Sequence, residues 1–225
     1  TLGEHHFILW KPRDVVGGDF YVYREQTDGY LIGVVDCAGH GVPGALMTML
    51  ARAAIDHAIE AVGSRDPAAI LGETDQAMRS MLSQEQIPQA LATNMDAGLV
   101  WVDRRRRQLA FAGAKISLYA SDGEEVQELK GARRAIGDKR RGDYRNIEVP
   151  LAPGWTFYLS TDGFLDQAGG AHGFGFGSRR FADMLRDHAR QPLPEQAEAF
   201  VATLAEYQGE HPQRDDITIL SFRFD

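Results

Sequence analysis

The chain has 225 residues, with 24 Lys and Arg against 32 Asp and Glu, and a net charge of −8. With 44% hydrophobic and 25% charged residues it has a globular composition, which excludes a mostly disordered chain, and its acidity argues against nonspecific nucleic-acid binding, which needs a cationic surface. A single cysteine, Cys37, rules out an intramolecular disulfide and fits a reducing, cytoplasmic location. No apolar run reaches the ~18–20 residues of a membrane span, so no direct membrane contact is expected of this domain.

The opening reads as strands: Phe7 to Trp10, then Phe20 to Tyr23, a turn at Thr27-Asp28-Gly29, and Tyr30 to Val35. After Asp36-Cys37-Ala38-Gly39-His40-Gly41 the period changes. Leu46, Met49, Leu50, Ala53 and His57 recur at helical spacing and predict a buried stripe with His57 at the core edge. A second helix begins at Asp66-Pro67, with Ile70, Leu71, Thr74, Ala77, Met78, Met81 and Leu82 on one face. Strands return at Ala97 to Val102, Leu109 to Ala112 and Ile116 to Ala120. Residues 130–145 read as a surface loop, followed by strands at Ile147 to Leu151 and Trp155 to Leu159. Within the glycine-rich stretch Gly169 to Gly177, Gly173-x-Gly175-x-Gly177 reads as a mobile flap beside the site. Two helices follow near 178–190 and 194–208, the latter with Ala197, Phe200, Val201 and Leu204 on one face, and Ile217 to Phe224 closes the chain. This order predicts a single α+β domain over residues 1–225, each helix pair covering a sheet face.

Aspartates mark the strand ends. Asp19 follows Gly17-Gly18 and starts a strand, Asp36 ends one, Asp162 follows another, and Asp215-Asp216 precede the last. Mg²⁺ and Mn²⁺ take oxygen ligands and retain waters, so carboxylates gathered at strand ends suit a hard-cation site. Any one Asp-Gly pair is also an ordinary turn, and spacing leaves both readings open.

The motifs decide between them. Val16-Gly17-Gly18-Asp19-Phe20-Tyr21, Val35-Asp36-Cys37-Ala38-Gly39-His40-Gly41, Ser160-Thr161-Asp162-Gly163-Phe164 and Arg214-Asp215-Asp216-Ile217-Thr218 occur in this order. Together they resemble the bacterial SpoIIE/RsbU-type serine/threonine phosphatases of the metal-dependent type 2C protein phosphatase superfamily, over about residues 7–224. The resemblance implies an α-β-β-α sandwich of two antiparallel sheets flanked by helix pairs. It implies two Mn²⁺ or Mg²⁺ ions bridged by Asp36, with the Cys37 carbonyl and Asp19 on one ion and Asp162 and Asp215 on the other. Asp216 belongs to the same metal-binding set, at its outer edge. A two-metal-activated water would then hydrolyse phosphoserine or phosphothreonine. The implied partner is a phosphorylated STAS-domain protein of the anti-anti-sigma-factor kind. The chain would be the C-terminal part of a longer sensor protein anchored to the inner membrane. Met47, Met49 and Met81 on the helix-pair faces are candidates for a homodimer contact, against the plain reading as core methionines. Where relatives commonly carry Asn-Ala-Gly-His this chain has Phe111-Ala112-Gly113-Ala114-Lys115, which removes support for a third ion; Asp96 stands where relatives tend to have Thr.

His40 is a candidate to position water or protonate the leaving oxygen, against a plain loop contact. Cys37 lacks the Cys-x5-Arg loop of a thiol phosphatase, because position 43 is Pro43, and reads as buried. Lys11 and Arg13 are candidates for substrate phosphate or for solvated charge. The rival function is a catalytically inactive phosphatase-like scaffold.

Overall fold

The computed structural model describes residues 5–84 and 94–224. Strands β1 (His6–Lys11), β2 (Asp19–Gln26) and β3 (Gly29–Cys37) lead into helices α1 (Gly41–Val62) and α2 (Pro67–Gln84). Strands β4 (Met95–Asp103), β5 (Gln108–Ala114), β6 (Leu118–Ser121), β7 (Val126–Leu129), β8 (Ile147–Pro150) and β9 (Thr156–Ser160) follow. Then come α3 (Asp162–Asp166), β10 (Ala168–Gly169), β11 (Phe174–Gly175), α4 (Gly177–His188), α5 (Leu193–Gln208) and β12 (Ile217–Arg223). Two five-stranded antiparallel sheets result, one ordered β2-β3-β4-β5-β8 and the other β1-β12-β9-β6-β7.

Strand alternation divides the side chains into layers. In β3, Tyr30, Ile32 and Val34 face the other sheet, where they meet Phe157, Leu159, Leu220 and Phe222. Leu31, Val35 and Cys37 face the opposite way and pack under α1 and α2. On the far side, Tyr158 and Ile219 pack with Phe164, Phe181 and Phe200 beneath α4 and α5. The predicted sandwich is therefore the observed one: helix pair, sheet, sheet, helix pair.

Of the expected residues Leu50 packs against the core, but most of the α1 stripe is reversed. Its buried residues are Gly44, Met47, Ala51, Ala54, Ile55, Ala58 and Ile59, whereas Leu46 is 56% and Met49 70% exposed, and Ala53 and His57 also face solvent. Both faces of this helix are apolar, so periodicity could not tell which one packs. The small residues pack because they let α1 come close to its neighbours. Met47 is accordingly core, leaving Met49 as the outward methionine of the pair. In α5, Val201 is exposed, and the buried positions are Leu193, Gln196, Phe200 and Leu204.

Two loop readings also change. Within 130–145, Ala135 and Ile136 are buried, and Ile136 exchanges backbone hydrogen bonds with Met95. The expected flap carries the β10–β11 hairpin. It is pinned to α5 by the Tyr207 hydroxyl, which lies 3.0 Å from the Phe174 and Gly175 carbonyls. The N-terminus of α2 is as predicted, with Pro67 first and the Asp66 carboxylate accepting the Ala69 N–H at 3.0 Å.

Candidate metal centre

Register brings the acids together. Asp19 on β2 is paired with Asp36 on β3, and Asp36 with Asp96 on β4, so three carboxylates stand in a row across one sheet. Their parity is that of Tyr30 and Ile32, so all three face the gap between the sheets at its open edge. The second sheet answers with Asp162, the first residue of α3, and with Asp215 and Asp216, just before β12.

Cross-sheet hydrogen bonds lock this edge. Asp19 is 3% exposed, and its Oδ2 accepts the hydroxyls of Thr161 and Thr218, both at 2.8 Å. Thr161 Oγ1 in turn accepts the Thr218 N–H at 3.0 Å. Asp216 accepts the backbone N–H of Arg13 at 2.7 Å and of Gly18 at 2.6 Å, one on each oxygen, and so clamps the β1–β2 loop over the gap. That clamp needs glycine: a Cβ on Gly17 would lie 2.7 Å from Asp216 Oδ2, and one on Gly18 would lie 2.6 Å from the Cys37 carbonyl oxygen. Likewise a Cβ on Gly163 would strike the Asp216 carbonyl, so only glycine lets α3 bring Asp162 against the Asp215-Asp216 segment.

Crowding shows in the ionisation. Burial pushes the Asp36 carboxyl up to about 10, reinforced by the charges of Asp19, Asp162, Asp96 and Asp215. Asp19 is pushed up to about 7, chiefly by burial, while its two threonine hydrogen bonds pull the other way. Asp162 is raised by loss of hydration and then by Asp166, Asp215 and Asp96. An all-oxygen donor set with unneutralised carboxylates is the chemistry that a hard divalent cation satisfies. Among the described residues no three of the acidic, cysteine or histidine side chains converge on a single ion position. The fit is therefore to ions that keep several waters, each taking few carboxylates, and not to a closed all-protein cage.

His40 sits at the N-cap of α1, and its Nδ1 lies 2.9 Å from Asp14 Oδ2. Cys37 is buried on the helix side, with its thiol pushed up to about 12 by burial, which removes it as a nucleophile. Arg13 directs its guanidinium to the Arg214 carbonyl at 3.0 Å, beside Asp215. Thr161, Thr218 and Asp14 were not singled out from the sequence. The two threonines had a signal, since Thr161 lies two residues after the inward-facing Leu159, just past the end of β9, and Thr218 two residues before the inward-facing Leu220 on β12. Asp14, in a loop, had none.

The family model for "Stage II sporulation protein E (SpoIIE)" matches residues 26–225. Phosphoserine phosphatase RsbP of Bacillus subtilis (strain 168) is 23% identical over 205 residues, 89% of this chain, and the chain spans 47% of RsbP. Among solved structures, the SiaA-PP2C domain of Pseudomonas aeruginosa is 94% identical with a TM-score of 0.93, covering 100% of this chain and 87% of that one. RsbX in complex with magnesium shares the fold at a TM-score of 0.65 and 16% identity, over 96% of this chain and 92% of its own.

Proposed function

The chain belongs to the SpoIIE family, as a phosphatase domain of the metal-dependent type 2C kind, and from that premise we propose that it hydrolyses phosphoserine or phosphothreonine on a protein partner. The observation that carries this reading is the convergence of Asp19 and Asp36 from one sheet with Asp162 and Asp215 from the other at a single edge. Asp36, Asp19 and the Cys37 carbonyl would hold one Mg²⁺ or Mn²⁺ ion, and Asp162 and Asp215 a second, each ion keeping several waters. When bound, the ions supply charge neutralisation at phosphorus and an acidified water for in-line attack. The magnesium found with RsbX supports that choice of metal.

The chain's own groups do the rest. Thr161 and Thr218 keep the Asp19 carboxylate oriented, as outer partners of metal ligands generally do. Asp216, with both oxygens on backbone N–H groups, acts by holding the β1–β2 loop in place. His40, oriented through Nδ1 by Asp14, offers Nε2 to protonate the departing seryl or threonyl oxygen.

A protein substrate is favoured by the apolar rim of the site: Trp10, Val15, Val16, Tyr21 and Val42 are all exposed near the β1–β2 loop and the start of α1. RsbP as a phosphoserine phosphatase and a solved pairing of RsbU and RsbW domains support a phosphorylated STAS-domain partner. The exposed Val42, Leu46 and Met49 stripe of α1 supports a homodimer through the helix pair. No helix of the described residues is long and apolar enough to cross a membrane; anchoring of a longer parent at the inner membrane belongs to this proposal.

The test is phosphate release from a phosphoserine protein and from an aryl phosphate, with Mn²⁺, with chelator, and with Asp36→Ala. Chelator and substitution should each lower turnover by at least ~10³-fold. Metal binding without turnover of either substrate would replace this reading with the inactive scaffold.

A further inference from the structure

The acidic row has a cation at its end. Lys115 lies just beyond β5, and its Nζ donates to Asp96 Oδ2 at 2.9 Å. Its backbone is left-handed, φ 63°, which is unusual for a residue with a side chain. The turn is built rather than loose: the Lys115 N–H donates to the Ala132 carbonyl at 2.7 Å, and the Ala132 N–H to the Gly113 carbonyl at 2.7 Å.

The ion pair does not explain that construction. The Lys115 side chain is 47% exposed, and a pair so open to water adds little stability, too little to offset a strained backbone. What the turn achieves is placement of an ammonium beside Asp96, opposite Asp36 in register and close enough for its charge to act on Asp162 and Asp36. The Asp96 hydrogen bond holds the ammonium above its ordinary pKa, so it stays charged. One of its three protons is engaged by Asp96, its partner among the described residues, and two are left for another acceptor. The two arginines near this edge are directed elsewhere, Arg13 to the Arg214 carbonyl and Arg214 to that of Gly173. A phosphomonoester is close to a dianion at neutral pH, and it must enter among carboxylates.

Resting on the phosphatase reading above, the geometry points to Lys115 as the residue that binds the substrate's phosphoryl oxygens, with Asp96 as its positioning partner. Lysine serves here as a point charge on phosphate, so the partner it selects is the phosphorylated form over the dephosphorylated product.

The experiment uses the Mn²⁺-loaded domain, an aryl phosphate as substrate and inorganic phosphate as ligand. Lys115→Met should raise KM and the phosphate inhibition constant about 10-fold, with kcat within about 3-fold. Calorimetric titration with inorganic phosphate should show the same weakening, whether or not turnover is measured. Asp96→Asn should move KM the same way by about 3-fold, and Lys115→Arg should restore it. Lys115→Gly supplies the decisive contrast. It relieves the left-handed strain and should raise the melting temperature while still losing phosphate affinity, the opposite of what a structural role gives. Unchanged phosphate affinity in Lys115→Met and Lys115→Gly, with wild-type turnover intact, would overturn the assignment. So would an additional bound Mn²⁺ in either variant with phosphate affinity unchanged, because Lys115 would then merely fill a cation position. A wild-type domain that binds phosphate through Lys115 but turns nothing over would overturn the phosphatase reading and leave this one standing.

Discussion

The two helix-covered faces of the sandwich are packed on different principles. Under α1 and α2 small residues of α1, Gly44, Ala51, Ala54 and Ala58, let helix and sheet backbones approach closely between the aliphatic side chains of Met47, Ile55, Ile70, Leu71 and Met78. Under α4 and α5 the contacts are made by rings: Phe181 stands edge-on to Tyr119 and Phe164, and Phe164 edge-on to Phe176. The ring-packed half is a platform, and from it Thr161, Thr218 and Asp216 reach across to fix Asp19 and the Gly17-Gly18 loop. The small-residue half carries the acidic row, and there α1 begins four residues after Cys37, the neighbour of Asp36, ends the β3–β4 ladder. Its outer face is also apolar and uncovered. One half holds the site in place; the other brings the densest charge to it.

That contrast can be broken by substitution. Phe200→Ala, in the ring-packed half, should cost about 3–5 kcal/mol by leaving a cavity. Ala54→Leu in the other half should cost about 1–3 kcal/mol by overpacking. Urea unfolding measures both, and a larger cost at Ala54 would reverse the assignment of platform. The cross-sheet clamp comes next: Thr161→Val with Thr218→Val should weaken Mn²⁺ binding about 10–100-fold. Calorimetry should find Phe200→Ala near wild type in the same assay.

The smallest effect is a pH dependence of the metal-free protein. Folding raises Asp19 from 3.8 to about 7 and Asp36 from 3.8 to about 10, so above pH 4 the folded state holds protons that the unfolded chain releases. Their contribution is complete below the unfolded value and is lost as pH rises toward the folded ones. Metal-free protein should therefore melt about 5 °C lower at pH 8.5 than at pH 5.5. Asp36→Asn should flatten the difference, and Mn²⁺ should raise the melting temperature more at the higher pH. Equal melting at both values without metal would show that the carboxylates are better neutralised than their burial implies.

Much of the fold was legible because strand alternation and helical period are local. The β2–β3 hairpin, the start of α2, both C-terminal helices and the closing strand all follow from residue order. The errors came where two local patterns were equally apolar. On α1 the bulkier stripe faces water because packing against a sheet rewards close backbone approach, which a count of hydrophobic residues does not measure. The five-residue α3 and the two-residue strands β10 and β11 are too short to leave a periodic signal.

The site divides in the same way. Aspartates at strand ends beside glycines were visible as chemistry, because Gly17, Gly18 and Gly163 mark where backbones must nearly touch. Which groups would serve those carboxylates was not visible. Thr161 and Thr218 lie 142 and 199 residues from Asp19 along the chain. The Lys115–Asp96 pair depends on a left-handed turn held by Ala132, from another segment. Residue types and their order determined the layers and the acids; only the tertiary structure, the closing of one sheet on the other and the docking of the Ala132 segment on the Lys115 turn, decided which hydroxyls, amides and ammonium stand beside them, because those contacts are set by register and distance in space rather than by neighbours in the chain.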